Sequence, residues 1–240
     1  MDNFYISLND GTKMPRLGLG TWKSPPEQTK QAIITAVKAG YRSVTRQSSL
    51  TSLNCVQSSR LIDCANDYDN EHVIGEALQE LFAEGVVKRE DLFIQAKLWN
   101  GNHRTEHVKP DILKTLEDLQ LDYIDSFVIH WPQAVPSTGN SHLTPYTLHL
   151  TPYTLHLTPY TLHLTVLSFI SYKLSQGKNP TLRPNGCYPA NHKKDTMFPL
   201  TDEGYYCADM ESHYVETWAA MEALVDEKLT RTIGLSNFNR

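Results

Sequence analysis

The chain has 240 residues, 40% of them hydrophobic and 20% charged, with a formal net charge of −5. That length suits one α/β domain, and the mild acidity gives no electrostatic reason to expect nucleic acid or an anionic membrane. The start, Met1-Asp2-Asn3-Phe4, carries no apolar signal core, and Cys55, Cys64, Cys187 and Cys207 show no C-x-x-C spacing, so a cytoplasmic protein with free thiols and no metal site is expected.

Phe4 to Leu8 alternates, Asn9-Asp10-Gly11 supplies turn chemistry, and Lys13-Met14-Pro15 returns. This predicts a β-hairpin ahead of the main fold. Leu17 to Trp22 reads as the first buried strand. Its G-x-G lacks the third glycine of a dinucleotide fingerprint, which argues against a Rossmann phosphate loop. Ser24-Pro25-Pro26-Glu27 predicts a capping box with proline at the first helical position, opening a helix that stops at Gly40. The stretch 43–60 is serine-rich and aperiodic. Leu61-Ile62 then delivers Asp63 at a strand end, with Tyr68 in the following loop. From His72 to Phe82 one helical face collects Val73, Ile74, Ala77, Leu78 and Leu81. Leu92 to Lys97 is a strand, Asp111 to Leu119 the core of a helix, and Tyr123 to His130 another strand. Val215 to Val225 is amphipathic, and Thr232 to Ser236 makes a fifth strand. Strands alternating with helices argue for a parallel sheet of βα units.

A heptapeptide beginning Leu143-Thr144-Pro145 recurs at Leu150 and Leu157. Pro145, Pro152 and Pro159 rule out a continuous helix. In a strand, a spacing of seven throws His142, His149, His156 and His163 onto opposite faces, so no metal cluster is expected. The segment 140–177 reads as loop or disordered chain. Its apolar tail, Leu164 to Ile170, falls far short of the ~20 residues of a membrane span.

Three strands end in residues able to do chemistry: Asp63, Lys97 and His130, with Tyr68 in the loop after the first. In parallel α/β folds strand C-termini are where sites form. Singly, a strand-end Asp or Lys is more often a surface ion pair and a Tyr half-buried packing. Together, on consecutive βα units, they read as a site. Cys64 reads as a small core residue rather than a nucleophile.

The motifs Leu17-Gly18-Leu19-Gly20-Thr21-Trp22, Ile62-Asp63, Tyr68-Asp69-Asn70-Glu71, Lys97-Leu98-Trp99, Val128-Ile129-His130-Trp131-Pro132 and Gly234-Leu235-Ser236-Asn237-Phe238 resemble the aldo-keto reductase family, in particular its NADP-dependent aldehyde reductases. The resemblance covers 1–42, 61–139 and 178–240. It implies a (β/α)8 TIM-barrel type fold, present as about five βα units behind an N-terminal hairpin in a single domain, 1–240. It also implies a monomer that binds NADPH and a small carbonyl substrate. Tyr68 would be the general acid, supported by Asp63, Lys97 and His130. Gly20, Thr21, Trp22, Asp63, Ser236 and Asn237 would border the cofactor, and Trp22, Trp99 and Trp131 the substrate pocket. A tyrosine with an ordinary pKa near ~10 is a reluctant acid, and a neighbouring ammonium is expected to lower it.

Set against the family pattern, 43–60 and 140–177 read as insertions. The chain stops at Arg240, just past the fifth strand, so strands six to eight and the 2′-phosphate site are expected to be missing. The competing reading is a catalytically inactive truncated fragment, or a partner-binding relative that reduces nothing.

Overall fold

In the computed structural model, residues 5–39, 61–137, 187–189, 205–209 and 211–238 are described. The predicted inserts 43–60 and 140–177 lie outside them. The hairpin forms as β1 (Tyr5–Ser7) and β2 (Lys13–Pro15), paired antiparallel. The turn closes as predicted: Gly11 has φ +86, and the Asp10 carboxylate accepts from the Thr12 backbone at 2.9 Å.

Then follow β3 (Gly18–Gly20), α1 (Pro26–Lys38), β4 (Leu61–Asp63), α2 (Glu71–Ala83), β5 (Phe93–Leu98), α3 (Thr105–Leu119) and β6 (Ile124–Ile129). Downstream are β7 (Cys187–Pro189), β8 (Tyr205–Cys207), α4 (Tyr214–Asp226) and β9 (Thr230–Leu235). The antiparallel pair β7–β8 has no counterpart among the predicted elements.

Five strands form one parallel sheet in the order β3-β4-β5-β6-β9. Neighbours in that sheet are neighbours in chain order, apart from the β7–β8 excursion. A doubly wound sheet reverses its order partway. An unreversed order is that of a βα barrel wall.

Strand alternation sorts the side chains. Ile62, Ile94, Ala96, Leu98, Phe127 and Ile129 join Ile33, Val37, Ile74, Leu78, Leu81, Ile112, Leu119 and Met221 in one buried cluster between sheet and helices. Asp63, Gln95 and Lys97 have the other parity and share the opposite, barrel-interior face, Asp63 in register with Gln95 and Lys97 with Val128. Glycine allows the closest helix approach: a Cβ on Gly75 would meet the Asp118 carbonyl oxygen of α3 at 2.3 Å.

The predicted capping box does not form. Pro25 occupies the N-cap and Pro26 the first helical position, with no side-chain cap. Instead the Thr29 hydroxyl, buried one turn in, lies 3.0 and 2.9 Å from the Ser24 and Pro25 carbonyl oxygens. Two successive prolines leave Ser24 too far from the orphan N–H groups to serve them.

The N-terminal end of the sheet is closed by ions. Asp125, in β6, accepts from Arg89 Nη2 at 2.8 Å and from the Ile94 backbone at 2.9 Å, and its other oxygen lies 3.2 Å from Arg231 Nη1. A cavity of about 630 Å³ opens beside this network, lined by Lys13, Glu90, Asp91, Phe93, Asp125 and Arg231 among others. It is at the opposite strand ends from the predicted chemistry. In barrels that end serves stability.

Candidate active site

The C-terminal ends of β4, β5 and β6 bring the predicted catalytic residues together. Asp63 is the last residue of β4, Lys97 the penultimate residue of β5, and His130 follows β6 directly. Tyr68 ends a single 3-10 turn, Asn66–Tyr68, which Asp69 closes in the left-handed region at φ 55. An acid tolerates that conformation better than a branched residue does.

Lys97 is 5% exposed. Its Nζ donates to Asp63 Oδ1 at 2.7 Å and to the Cys64 carbonyl at 2.9 Å, and lies 4.8 Å from the centre of the Tyr68 ring. Gln95 Nε2 shares Asp63 Oδ1 at 2.9 Å. The His130 ring meets Tyr68 edge-on at 5.8 Å.

Burial pulls the Lys97 ammonium down, but the charge and hydrogen bond of Asp63, and then Tyr68, hold its pKa above the usual lysine value. Tyr68 departs from expectation. Burial pushes its hydroxyl up, Lys97 pulls it down, and the net pKa stays above the ordinary tyrosine value. The lysine opposes the burial penalty without overcoming it. The hydroxyl therefore keeps its proton at neutral pH, as an acid must before it acts.

The predicted pocket aromatics divide by exposure. Trp99 is buried and edge-on to His130 at 5.8 Å, while Trp131 lies 6.0 Å from the same ring and is 44% exposed. Trp22 stands 65% exposed on the β3–α1 loop with Lys23 Nζ 4.4 Å over its ring.

The predicted cofactor residues stand at the C-terminal ends of the strands, mostly on the sheet's two edge strands: Gly20 ends β3, and Ser236 and Asn237 follow β9. Space over Gly20 is open, since a Cβ there would meet nothing within 4 Å. The Thr21 hydroxyl is committed to the Asp63 carbonyl at 3.1 Å, so Thr21 borders the site by shape rather than by donating into it. Ser236 holds its backbone N–H on the Ile129 carbonyl at 2.9 Å. Asn237 turns in the left-handed region at φ 62, and its Nδ2 donates to the His130 carbonyl at 2.8 Å. Ser236 and Asn237 are thereby tied to the end of β6, beside the histidine.

Three buried polar residues carry no predicted role yet build the site. Asn70 Nδ2 donates to the Thr21 carbonyl at 2.8 Å and the Ser24 carbonyl at 3.1 Å, clasping the β3–α1 loop to the start of α2. Asp111, in α3, accepts from Asn66 at 2.6 Å and Asn102 at 2.5 Å, anchoring the turn that carries Tyr68. Burial pushes Asp111 up to about 7 against those bonds. Glu71, at the first position of α2, is fully buried and pushed up to about 8. An Asp or Glu inside an amphipathic helix reads as a solvated face. Only its neighbours in space reveal it as buried.

Among the described residues no group of three or more His, Cys, Asp or Glu side chains is arranged to hold a metal ion. No helix among them is long and apolar enough to cross a membrane.

Comparison with known proteins gives concordant results. Residues 16–240 match the aldo/keto reductase family. Aldo-keto reductase family 1 member A1 of Pongo abelii is 37% identical over 235 residues, which is 98% of this chain and 49% of that protein. The Homo sapiens protein of the same name is 36% identical over 98% of this chain and 49% of its own length. Among solved structures, the aldose reductase from Schistosoma japonicum superposes with a TM-score of 0.64 at 32% identity, over 98% of this chain and 54% of that one. The aldose reductase from Giardia lamblia gives 0.61 at 32% identity, over 94% and 50%. The chain spans about half the length of the relatives it matches.

Proposed function

Because the chain belongs to the aldo/keto reductase family, we propose that its site reduces aldehydes or ketones to alcohols with NADPH, Tyr68 serving as the general acid. The observation that carries this reading is the single cluster in which a buried Lys97 bridges Asp63 at 2.7 Å and the Tyr68 ring at 4.8 Å, with His130 against the same ring. The name aldose reductase borne by its structural neighbours supports a carbonyl substrate.

Each residue has a separable task. The bound dihydronicotinamide would supply a hydride to the carbonyl carbon. As negative charge builds on the oxygen, Tyr68 releases its hydroxyl proton to it. Lys97, kept cationic by Asp63, stabilises the tyrosinate left behind, an interaction that counts for more in a partly desolvated site than in water. His130 orients the carbonyl oxygen toward the Tyr68 hydroxyl, and Trp99 and Trp131 shape the apolar wall beside it. Gly20, Ser236 and Asn237 hold the nicotinamide end. Cytoplasmic residence and a monomeric state belong to this reading and rest on the family resemblance.

The test is aldehyde-dependent oxidation of NADPH by the purified chain and by Tyr68→Phe. The variant keeps the ring and removes the proton, so the rate should fall by on the order of 10²–10⁴, while NADPH binding, followed by fluorescence quenching, stays nearly constant. Equal rates would refute Tyr68 as the acid. Absence of turnover and of NADPH binding in the unaltered chain would favour the non-enzymatic alternative.

A further inference from the structure

The turn that presents Tyr68 holds a second acid that the chemistry above leaves unused. Asp67 precedes the tyrosine, its side chain is only 9% exposed, and its Oδ1 lies 3.1 Å from Nδ1 of His130. The approach is oblique, and neither atom completes a hydrogen bond of regular geometry with any other described residue. Asp67 is not needed to anchor the turn, because Asn66 already does so through Asp111.

A buried carboxylate without a partner is strongly unfavourable, so the facing groups decide its meaning. An ionised carboxylate can only accept. The imidazole nitrogen that faces it must therefore carry the proton, and the identity of the protonated nitrogen is set by its neighbour. The rest of His130 is also held. Its backbone N–H donates to Leu98 at 3.1 Å and its carbonyl accepts from Asn237 at 2.8 Å, while Tyr68, Trp99 and Trp131 surround the ring. The charged groups around the pair are Asp63, Lys97 and Asp111, and Asp67 itself raises the Tyr68 hydroxyl through its charge.

We propose that Asp67 is a positioning residue for His130: its carboxylate takes the proton on Nδ1, fixes the ring's tautomer and orientation, and leaves Nε2 as the nitrogen that meets the substrate oxygen. The last clause rests on the carbonyl-reducing reading. The tautomer does not.

The test is nitrogen NMR of the isotope-labelled chain at neutral pH, with the His130 ring signals identified by their loss in His130→Gln. The expected result is a protonated Nδ1 in the unaltered chain, kept in Asp67→Asn, whose amide oxygen still accepts, and lost to Nε2 in Asp67→Leu. A bare Nδ1 in the unaltered chain overturns the proposal, as does an unchanged tautomer in Asp67→Leu. Should the leucine variant not fold, the unaltered chain and Asp67→Asn decide alone. In aldehyde reduction, Asp67→Leu should lower kcat roughly 10–100-fold, the range found when a metal-bound histidine loses the carboxylate that orients it, with NADPH affinity unchanged and Asp67→Asn close to normal. Missing turnover with the Nδ1 proton in place would count against the carbonyl-reducing reading and leave the role of Asp67 standing.

Discussion

Replacing Glu71 with glutamine should stabilise the fold near pH 8 and do little near pH 5. The Glu71 carboxyl is fully buried at the start of α2, and both its oxygens and the Thr115 hydroxyl lack partners of regular geometry. Burial is the main force pushing its pKa from 4.5 to about 8, with Thr115 and Cys64 pulling back and the charges of Asp111 and Asp118 adding to the rise. In acid the group is protonated whether folded or not and costs nothing. As pH rises through the unfolded value, the unfolded chain ionises while the folded one keeps its proton until about 8. Stability is therefore lost across that window. At about 1.4 kcal/mol per tenfold change, the full loss is on the order of 4–5 kcal/mol. The positive end of α2 favours the anion, but that effect is only ~0.3–2 kcal/mol, so burial wins and about 3 kcal/mol remains. Glutamine cannot ionise. Its Tm advantage over the unaltered chain, by circular dichroism, should grow by roughly 6–12 °C between the two pH values, at ~2–4 °C per kcal/mol for a domain of this size. A constant difference across the range would show that Glu71 is ionised in the folded protein and refute the reasoning.

Gly75→Ala should destabilise by roughly 1–3 kcal/mol from overpacking, because its methyl would strike the Asp118 carbonyl oxygen. That outweighs the ~1 kcal/mol alanine gains in helix propensity, and a urea midpoint that rises would contradict the close α2–α3 packing. Asp125→Ala takes the carboxylate from the Ile94 N–H and from Arg89, which keeps the Leu92 and Tyr123 carbonyls, so a loss of about 1–3 kcal/mol is expected. A loss below ~1 kcal/mol, the range of surface pairs, would mean water already serves these groups. In Asp63→Asn, Lys97 loses the charge that offsets its burial. Its ammonium should then titrate at lower pH by NMR, and an unmoved titration would assign the lysine's charge to some other partner.

Much of the site was legible because its residues end strands. Asp63, Lys97 and His130 close apolar runs whose period marks them as strands, and the parallel pairing of β4, β5 and β6 puts those ends at one edge of the sheet. What stayed hidden depends on contacts between distant segments. Glu71 and Asp111 sit in helical stretches where a polar residue ordinarily faces water and Asn70 caps α2, and segments distant in sequence bury them: the β3–α1 loop over Asn70, Cys64 and Thr115 against Glu71, and the turns of Asn66 and Asn102 over Asp111. The Tyr68 shift was expected downward because sequence shows the lysine but not the burial that outweighs it. The Ser24 capping signature failed for a local reason: the helix starts one residue later, so that Pro25, with no side chain to cap, takes the N-cap position. The pair β7–β8 falls in sequence without alternating apolar character.

The strand order has a kinetic consequence. From β3 to β6 each strand pairs with its chain neighbour across a connection of roughly 25–40 residues, whereas β6 and β9 are roughly 100 residues apart. Closing the longer connection costs about 1 kcal/mol more, because loop entropy grows only with the logarithm of length. The first four strands and three helices thus form a locally connected nucleus, while β9 and α4 add late. The contacts that finish the site, Ser236 on Ile129 and Asn237 on His130, belong to that late step. A chain emerging from the ribosome would accordingly assemble Asp63, Tyr68, Lys97 and His130 first, and bring Ser236 and Asn237 beside them last.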